Sequence, residues 1–175
     1  MTNFDSELIE DIIWAARYGE LEDVKACVAE HGADLAKAQG PSGNTPLHMA
    51  SANGHLEVVH YFIELFSSLP DLKDIIQRAN DEGNTPLHWS ALNGHLEVVK
   101  ALVEAGADAK IKNKSGRTPI FDAQQGDHEK VVDYLLETMA PEEEEDGDEE
   151  AAEDEAENDN VNGEGSKDVE MSESR

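Results

Sequence analysis

The chain has 175 residues, in which 40 aspartate and glutamate residues outnumber 13 lysine and arginine residues, and its net charge is −27. Such a charge repels phosphate backbones and anionic lipid surfaces, so it argues against nucleic acid and membranes as direct ligands and favours a basic protein as partner. No apolar run approaches the roughly 18 residues of a membrane span, and the acidic start is unlike a secretory signal. We therefore expect a soluble intracellular protein.

Four related segments follow one another along the chain. The first, IIWAARYGELEDVKACVAEHGADL from Ile12, is degenerate. The next two, GNTPLHMASANGHLEVVHYFIEL from Gly43 and GNTPLHWSALNGHLEVVKALVEAGAD from Gly83, are nearly superimposable. The last, SGRTPIFDAQQGDHEKVVDYLLE from Ser115, lies 33 positions after the third when their threonines are aligned. A fixed period of this length is typical of solenoids, whose terminal copies are atypical because they cap the stack.

Each copy predicts two helices joined by a turn. The threonine before each proline suits the N-cap, where its hydroxyl accepts a bond from a helix amide, and the proline suits the first helical position. Gly54 and Gly94 then end the first helix. A second helix follows, with apolar residues three and four positions apart. Because one repeat cannot bury this apolar face alone, the copies must stack.

These strings resemble the ankyrin-repeat family. The resemblance implies an all-α fold, a solenoid of four helix-turn-helix repeats with short turn or hairpin tips in a domain spanning 1–140. It also implies that certain histidines bridge turns by hydrogen bonds, namely His48, His88, His55 and His95. The expected repeats span about 5–38, 42–80, 82–113 and 115–139.

Residues 141–175 differ in composition from the rest of the chain. They contain 17 acidic residues against only Lys167 and Arg175, with few sizeable apolar side chains. Such a segment cannot bury enough apolar surface to offset its loss of conformational entropy on folding. We therefore predict a disordered acidic C-terminal tail.

An insertion separates the second and third copies. Thr45 and Thr85 are 40 positions apart, seven more than the period. The extra residues fall within 67–80, where Pro70 and Asp71 could start a helix whose apolar face is Leu72, Ile75 and Ile76. One interpretation is a longer second helix followed by a packed loop, and the other is a specific lip beside the binding groove.

The last copy departs from the others. Asp122 stands where they have Met49 and Trp89, Phe121 replaces a histidine, and the turn glycine moves to position 126. A terminal repeat tolerates such changes because one of its faces meets water. Asp122 is then either a solubilising residue of the cap or an acidic contact for a partner.

No pattern in the sequence indicates catalysis. The nucleophile elbow, the HExxH zinc motif and the glycine-rich phosphate loops are all missing from the sequence, and no clustered residues have metal-ligand spacing. Cys27, the single cysteine, lies at helical spacing from Val24 and Val28, which favours core packing. We expect a non-enzyme without cofactor or metal.

The family resemblance implies a binding groove lined by the turn before each Thr-Pro and by the end of each first helix. Tyr18 and Leu92 are candidate apolar anchors, and Asp81 and Glu82 are candidate contacts for cations. Trp14 and Trp89 share a register that points to the interior, so we expect both in the core. The candidate partner-binding residues are Arg17, Tyr18, Asn44, Asn53, Asp81, Glu82, Asn84, Leu92, Asn93, Asp122 and Gln125.

A closer resemblance rests on the insertion after the second repeat, GNTPLHWSALNG, Ile-Lys-Asn-Lys and the PEEEEDGDEE string. With these features the chain resembles the fungal ankyrin-repeat chaperones of small-subunit ribosomal protein number three. The resemblance implies an escort in cytoplasm and nucleus, monomeric before binding, which keeps that basic protein soluble until ribosome assembly. The tail would supply mobile counter-charge or merely solubility. The alternative is a generic ankyrin-repeat adaptor or inhibitor.

Overall fold

Helices pair along the chain as the repeat pattern predicts. The computed structural model describes residues 4–139, and the predicted acidic tail lies outside them. Within the described residues every regular element is helical, and all of them lie in one compact unit. In chain order the elements are α1 (Ser6–Tyr18), α2 (Leu21–His31), a short 3-10 turn (Leu35–Lys37), α3 (Pro46–Ala52), α4 (Leu56–Ser67), α5 (Leu72–Ile76), α6 (Pro86–Leu92), α7 (Leu96–Glu104), α8 (Pro119–Gln125) and α9 (Glu129–Met139).

The starts of α3 and α6 are capped by threonine and histidine together. The Oγ1 atom of Thr45 accepts a 3.4 Å bond from the His48 N–H, and Nδ1 of His48 accepts a 3.1 Å bond from the Thr45 N–H. The Thr85 N–H likewise donates to Nδ1 of His88 over 3.1 Å. These bonds satisfy amides that the first helical turn leaves without partners. At the start of α8 neither kind of bond is present. Thr118 makes no side-chain cap, and Phe121, which replaces the histidine, has no ring nitrogen that could accept a bond.

The turn inside each helix pair requires a left-handed backbone residue. Gly54 has φ +74° and Gly94 has φ +73°, in agreement with the predicted end of the first helix. In the last copy Asp127 adopts φ +56° in place of glycine. Aspartate tolerates this conformation better than most residues because its short polar side chain can bond locally. The displaced glycine therefore does not break the fourth repeat.

A histidine after each of these turns ties its repeat to the one before. Its Nε2 atom must donate, because the partner is a carbonyl oxygen that can only accept. The predicted bridging role of His55 and His95 is confirmed. His128 makes the same bond, although it was not among the residues predicted to do so. The bonds join His55 to Arg17 (2.8 Å), His95 to Ala52 (3.1 Å) and His128 to Leu92 (3.0 Å).

The core lies between two layers of helices. The first helices of the pairs, α1, α3, α6 and α8, stack side by side, and the second helices, α2, α4, α7 and α9, stack behind them. Leu47 and Leu87 fill the space between the layers from the front, and Phe62, Leu102 and Leu135 fill it from behind. Each such side chain contributes about 1.5–3 kcal/mol by burial. The apolar spacing in the sequence thus becomes one continuous core.

The insertion packs into the solenoid. Helix α4 has 12 residues where α7 has 9, and the short α5 follows it with Ile75 and Ile76 buried. Gln77 Nε2 then donates to the Gly106 carbonyl oxygen at 2.9 Å, and an Arg78 guanidinium nitrogen donates to the Lys37 carbonyl oxygen at 2.9 Å. The interpretation as a longer helix plus a packed loop is confirmed, whereas a role as a lip for a partner stays a prediction.

Candidate protein-binding groove

Three tight turns precede α3, α6 and α8. In the middle turn the Asn80 N–H donates to the Asn84 carbonyl oxygen, and the Gly83 N–H donates to the Asn80 carbonyl oxygen, both over 2.9 Å. Equivalent pairs of backbone bonds close the other two turns. We call the turns tips 1, 2 and 3; they comprise residues 40–44, 80–84 and 113–117.

Backbone hydrogen bonds join the tips to one another. The Asp81 N–H donates to the Ser42 carbonyl oxygen at 3.2 Å, and the Lys114 N–H donates to the Glu82 carbonyl oxygen at 3.0 Å. The tips therefore form one row beside the stacked first helices. We call the tips and the exposed faces of the first helices the groove.

Asparagine side chains also hold the tips together. The Asn80 amide donates to Oδ1 of Asn44 at 2.8 Å, and the Asn113 amide donates to Oδ1 of Asn84 at 2.7 Å. Asn84 is only 9% exposed, and its amide also donates to Glu82. The Asn84 side chain is largely buried and its bonds are made within the tips, so its contact with a partner stays a prediction. Asn44 is half-buried and remains at the groove surface.

Two buried histidines fix the tips against the helices. Nε2 of His48 donates to the Asn84 carbonyl oxygen at 3.0 Å, and Nε2 of His88 donates to the Arg117 carbonyl oxygen at 3.1 Å. Burial lowers the pKa of His48 to about 4 and also lowers the pKa of His88. Both rings are therefore neutral near pH 7, as their acceptor Nδ1 atoms require. The bridging role predicted for these histidines is confirmed.

The ends of the first helices supply the other predicted groove residues. The Asn93 amide donates to the Ala52 and Trp89 carbonyl oxygens, each at 3.0 Å, and the Asn53 amide donates to the Met49 carbonyl oxygen at 2.8 Å. Their side chains thus cap helix ends and still meet solvent. Leu92 is half-buried, and the exposed candidates are Arg17, Tyr18, Asn53, Asp81, Glu82, Asn93 and Gln125.

An acidic cleft opens between tips 1 and 2. Its volume is about 440 Å³, and its lining includes Ser42, Asp81, Glu82 and Trp89. Neither of these carboxylates makes an ion pair within residues 4–139, and both are exposed. Unpaired carboxylates beside an indole can receive a lysine or arginine side chain through charge and cation–π attraction. The cleft is therefore chemically suited to a basic partner.

The Asp122 side chain is buried. It is only 3% exposed, and its Oδ1 atom lies 3.6 Å from Nε of Arg117, whose Nη1 atom donates to Gln125 at 2.8 Å. Burial raises the pKa of the Asp122 carboxyl, while His88 and Arg117 oppose that shift. The side chain turns inward towards Arg117, which argues against both predicted roles, and the role of partner contact stays a prediction.

The prediction that both tryptophans lie in the core is wrong. Trp14 is 49% exposed, and Trp89 is partly exposed along the acidic cleft. In the second and third repeats a tip lies beside the residue at this position, which is Met49 or Trp89. Among the described residues no tip precedes α1, so Trp14 lacks such a neighbour. The missing Thr-Pro-Leu-His of the first copy is the signal that could have revealed the exposure of Trp14. Cys27, by contrast, packs against the core as predicted.

The described residues hold no group of three or more histidine, cysteine, aspartate or glutamate side chains that could bind a metal ion. In the same part of the chain, no helix has the length and apolar character needed to cross a bilayer. The chemistry available in the groove is hydrogen bonding, charge pairing and aromatic contact.

Comparison with known proteins identifies the family. The family model described as ankyrin repeats (3 copies) matches residues 12–113 and 73–146. The chain belongs to the ankyrin-repeat family. An ankyrin repeat-containing protein of Schizosaccharomyces pombe is 41% identical over 148 residues, which cover 83% of this chain and 97% of that protein. The ankyrin repeat-containing protein YAR1 of Saccharomyces cerevisiae is 43% identical over 150 residues, which cover 81% of this chain and 74% of YAR1.

A solved ankyrin-repeat structure is also similar. It is the crystal structure of the yeast ribosomal protein Rps3 in complex with its chaperone Yar1. The match has a TM-score of 0.75 and 40% sequence identity, and it covers 80% of this chain and 99% of the matched chain. The predicted solenoid fold and the resemblance to chaperones of this ribosomal protein are therefore confirmed.

Proposed function

We propose that this ankyrin-repeat protein is a dedicated chaperone of the ribosomal protein that corresponds to Rps3. It binds the newly made protein, keeps it soluble and supports its delivery to assembly of the small ribosomal subunit. The observation that carries the proposal is the 40% identical match, over 99% of the matched chain, to a structure of Rps3 in complex with its chaperone Yar1.

Charge supports this choice of client. A protein that binds ribosomal RNA carries clustered lysine and arginine side chains, which attract stray nucleic acid until assembly. This chain carries a net charge of −27, and the groove exposes Asp81 and Glu82 without ion pairs in the described part of the chain. Opposite charge speeds encounter and masks the cations of the client.

The remaining properties follow from this role. The protein acts as a monomer before it meets its client, in the cytoplasm and the nucleus, without catalysis, cofactor or metal. It makes no direct contact with nucleic acid or membrane, since its charge opposes both. A generic adaptor or inhibitor is the alternative, and such a protein would bind an acidic or neutral partner with little dependence on salt.

Copurification and a solubility assay test the proposal together. The full-length protein is isolated from its native cells and its partners are identified by mass spectrometry. In parallel, light scattering follows the purified ribosomal protein when it is diluted with or without the chaperone. We expect the ribosomal protein among the main partners and its aggregation suppressed at equimolar chaperone. A main partner from outside the ribosome, together with undiminished aggregation, would support the adaptor instead.

A separate experiment tests whether the acidic tail speeds association with the client. Residues 141–175 carry 17 acidic and 2 basic residues, a net −15, which is more than half of the net charge of −27. A variant that ends at residue 140 should associate with the client about tenfold more slowly at low salt, because long-range attraction mainly raises association rates. Stopped-flow measurements at several salt concentrations report this rate. An unchanged rate at low salt would leave the tail with a role in solubility alone.

A further inference from the structure

One face of α1 is exposed along its whole length. Ile12, Ala15 and Ala16 are buried on its other side. The exposed residues are spaced three and four positions apart, so they form a continuous stripe on the helix. The stripe begins with three carboxylates and ends with two aromatic rings; its members are Glu7, Glu10, Asp11, Trp14 and Tyr18.

The two rings of this stripe form a stacked pair. The centroids of Trp14 and Tyr18 are 5.4 Å apart, and the ring planes differ by 13°. Trp14 is 49% exposed and Tyr18 is 61% exposed, and they are two of only four large apolar side chains exposed within residues 4–139. Exposed aromatic surface of this kind, rimmed by charge, is characteristic of protein interaction sites.

A guanidinium group already lies over one ring of this pair. The Arg17 guanidinium carbon is 5.6 Å from the centroid of the Trp14 ring, within the range of cation–π attraction. Arg17 makes no ion pair in the described part of the chain, and neither do the carboxylates of Glu10 and Asp11. The stripe thus presents an aromatic surface that accepts a guanidinium and, one helical turn away, negative charge that has no internal counter-ion.

We propose that this stripe is a docking surface for an arginine-bearing segment of the basic client. A client guanidinium replaces Arg17 on the Trp14 ring and pairs with Glu10 and Asp11, while Arg17 moves into solvent. Arginine fits better than lysine, because its planar group stacks on a ring and pairs with a carboxylate at the same time. The proposal rests on the proposed function only in that the partner is a basic protein.

The first test uses octa-arginine and octa-lysine peptides as probes, independently of the client. In full-length protein with Trp89→Phe, Trp14 is the only tryptophan, so its fluorescence reports the stripe. We expect octa-arginine to quench Trp14 and to bind more tightly than octa-lysine. Glu10→Gln with Asp11→Asn should weaken octa-arginine binding about tenfold at low salt. Equal quenching by both peptides would overturn the choice of arginine.

A matched control removes the same charge elsewhere. Glu57→Gln with Glu64→Gln neutralises two exposed carboxylates of α4, in the rear layer of the solenoid. If the stripe is the binding surface, this control variant should bind octa-arginine with an affinity within about twofold of the parent. An equal loss in both double variants would overturn the proposal, because it would show that only net charge matters.

The second test uses the purified client and full-length variants whose folding is checked by thermal unfolding. Trp14→Leu and Tyr18→Leu should each weaken client binding about threefold to tenfold, because they remove aromatic surface. Arg17→Ala should strengthen it about twofold, because it removes a like charge and an internal competitor. Weaker binding by Arg17→Ala would mean that Arg17 itself contacts the client. It would overturn the proposal that a client guanidinium takes the place of Arg17 on the Trp14 ring.

The two tests separate the failure of this proposal from that of the proposed function. If the client does not bind the unaltered protein, the proposed function fails, and the peptide results still decide whether the stripe binds arginine. If the client binds every stripe variant equally well, the stripe is not its docking surface, and the proposed function stands.

Discussion

His48 and Asn84 join two repeats through one hydrogen bond. The His48 ring lies at the start of α3, and its Nε2 atom donates over 3.0 Å to the Asn84 carbonyl oxygen in tip 2. Nδ1 of the same ring accepts from the Thr45 N–H. Because both ring nitrogens are used, His48 fixes helix start and tip in one geometry. The position of the acidic cleft depends on this bridge.

Replacement of His48 should therefore destabilise the solenoid. His48→Phe, the residue found at this position of the last repeat, would leave the Asn84 carbonyl oxygen buried without its donor. We expect the free energy of unfolding to fall by about 2–4 kcal/mol, as measured by urea denaturation. His60→Phe is the matched control, because His60 is exposed on α4 and should change stability by less than about 0.5 kcal/mol. An equal loss of stability in the two variants would show that the hydrogen bond from His48 to Asn84 does not stabilise the solenoid.

The same histidine predicts how stability varies with pH. Burial lowers the pKa of His48 from 6.5 to about 4 in the folded chain. The unfolded chain therefore binds more protons between these values, and stability falls as pH decreases from about 6.5 to 4. The loss due to His48 is about 3 kcal/mol. In urea denaturation of His48→Phe across this pH range, the free energy of unfolding should fall less steeply with decreasing pH than it does in the parent protein. If the two proteins lost stability in parallel, His48 would not be the group responsible.

Gly54 should not accept a side chain. It has φ +74°, and an added Cβ would lie 2.6 Å from Nδ1 of His95. Gly54→Ala should lower the free energy of unfolding by about 3 kcal/mol, through backbone strain and the displaced ring. Gly106→Ala separates the two causes, because Gly106 has φ +99° with nothing within 4 Å of its Cβ position. It should cost only about 1–2 kcal/mol in the same denaturation experiment.

The insertion should contribute to stability. Ile76 of α5 is completely buried, so Ile76→Ala should cost about 2–4 kcal/mol in thermal or urea unfolding. Lys73, on the same short helix, is exposed, and Lys73→Ala should have almost no effect. If both variants were as stable as the parent, the insertion would be a loop that does not support the core.

Features that depend on local chemistry could be predicted from the sequence. The Thr-Pro pairs identify helix starts because a hydroxyl cap and a fixed φ act within one turn. Apolar spacing similarly predicted the buried face of α5, with Ile75 and Ile76 in the core. The 33-residue period then identified the stack.

Features that depend on neighbouring repeats could not be predicted in this way. The buried Asp122 carboxyl interacts with His88 of the preceding repeat, and Asn84 is buried where Asn113 bonds to it from the next tip. Trp14 is exposed although Met49 at the same register is largely covered. In each case the environment is set by what lies beside the repeat, which the pattern within one copy does not encode. The contribution of the individual groove residues to binding stays a prediction.

The most direct test of the chaperone function measures the affinity of the full-length protein for the purified ribosomal protein that corresponds to Rps3. Asp81→Asn and Asp122→Asn each remove one carboxylate, the first exposed in the acidic cleft and the second buried beside Arg117. Titration calorimetry at low salt should show tight binding by the parent, about threefold to tenfold weaker binding by Asp81→Asn, and no change beyond about twofold for Asp122→Asn. No binding by the parent, or equal binding by all three proteins, would contradict the account.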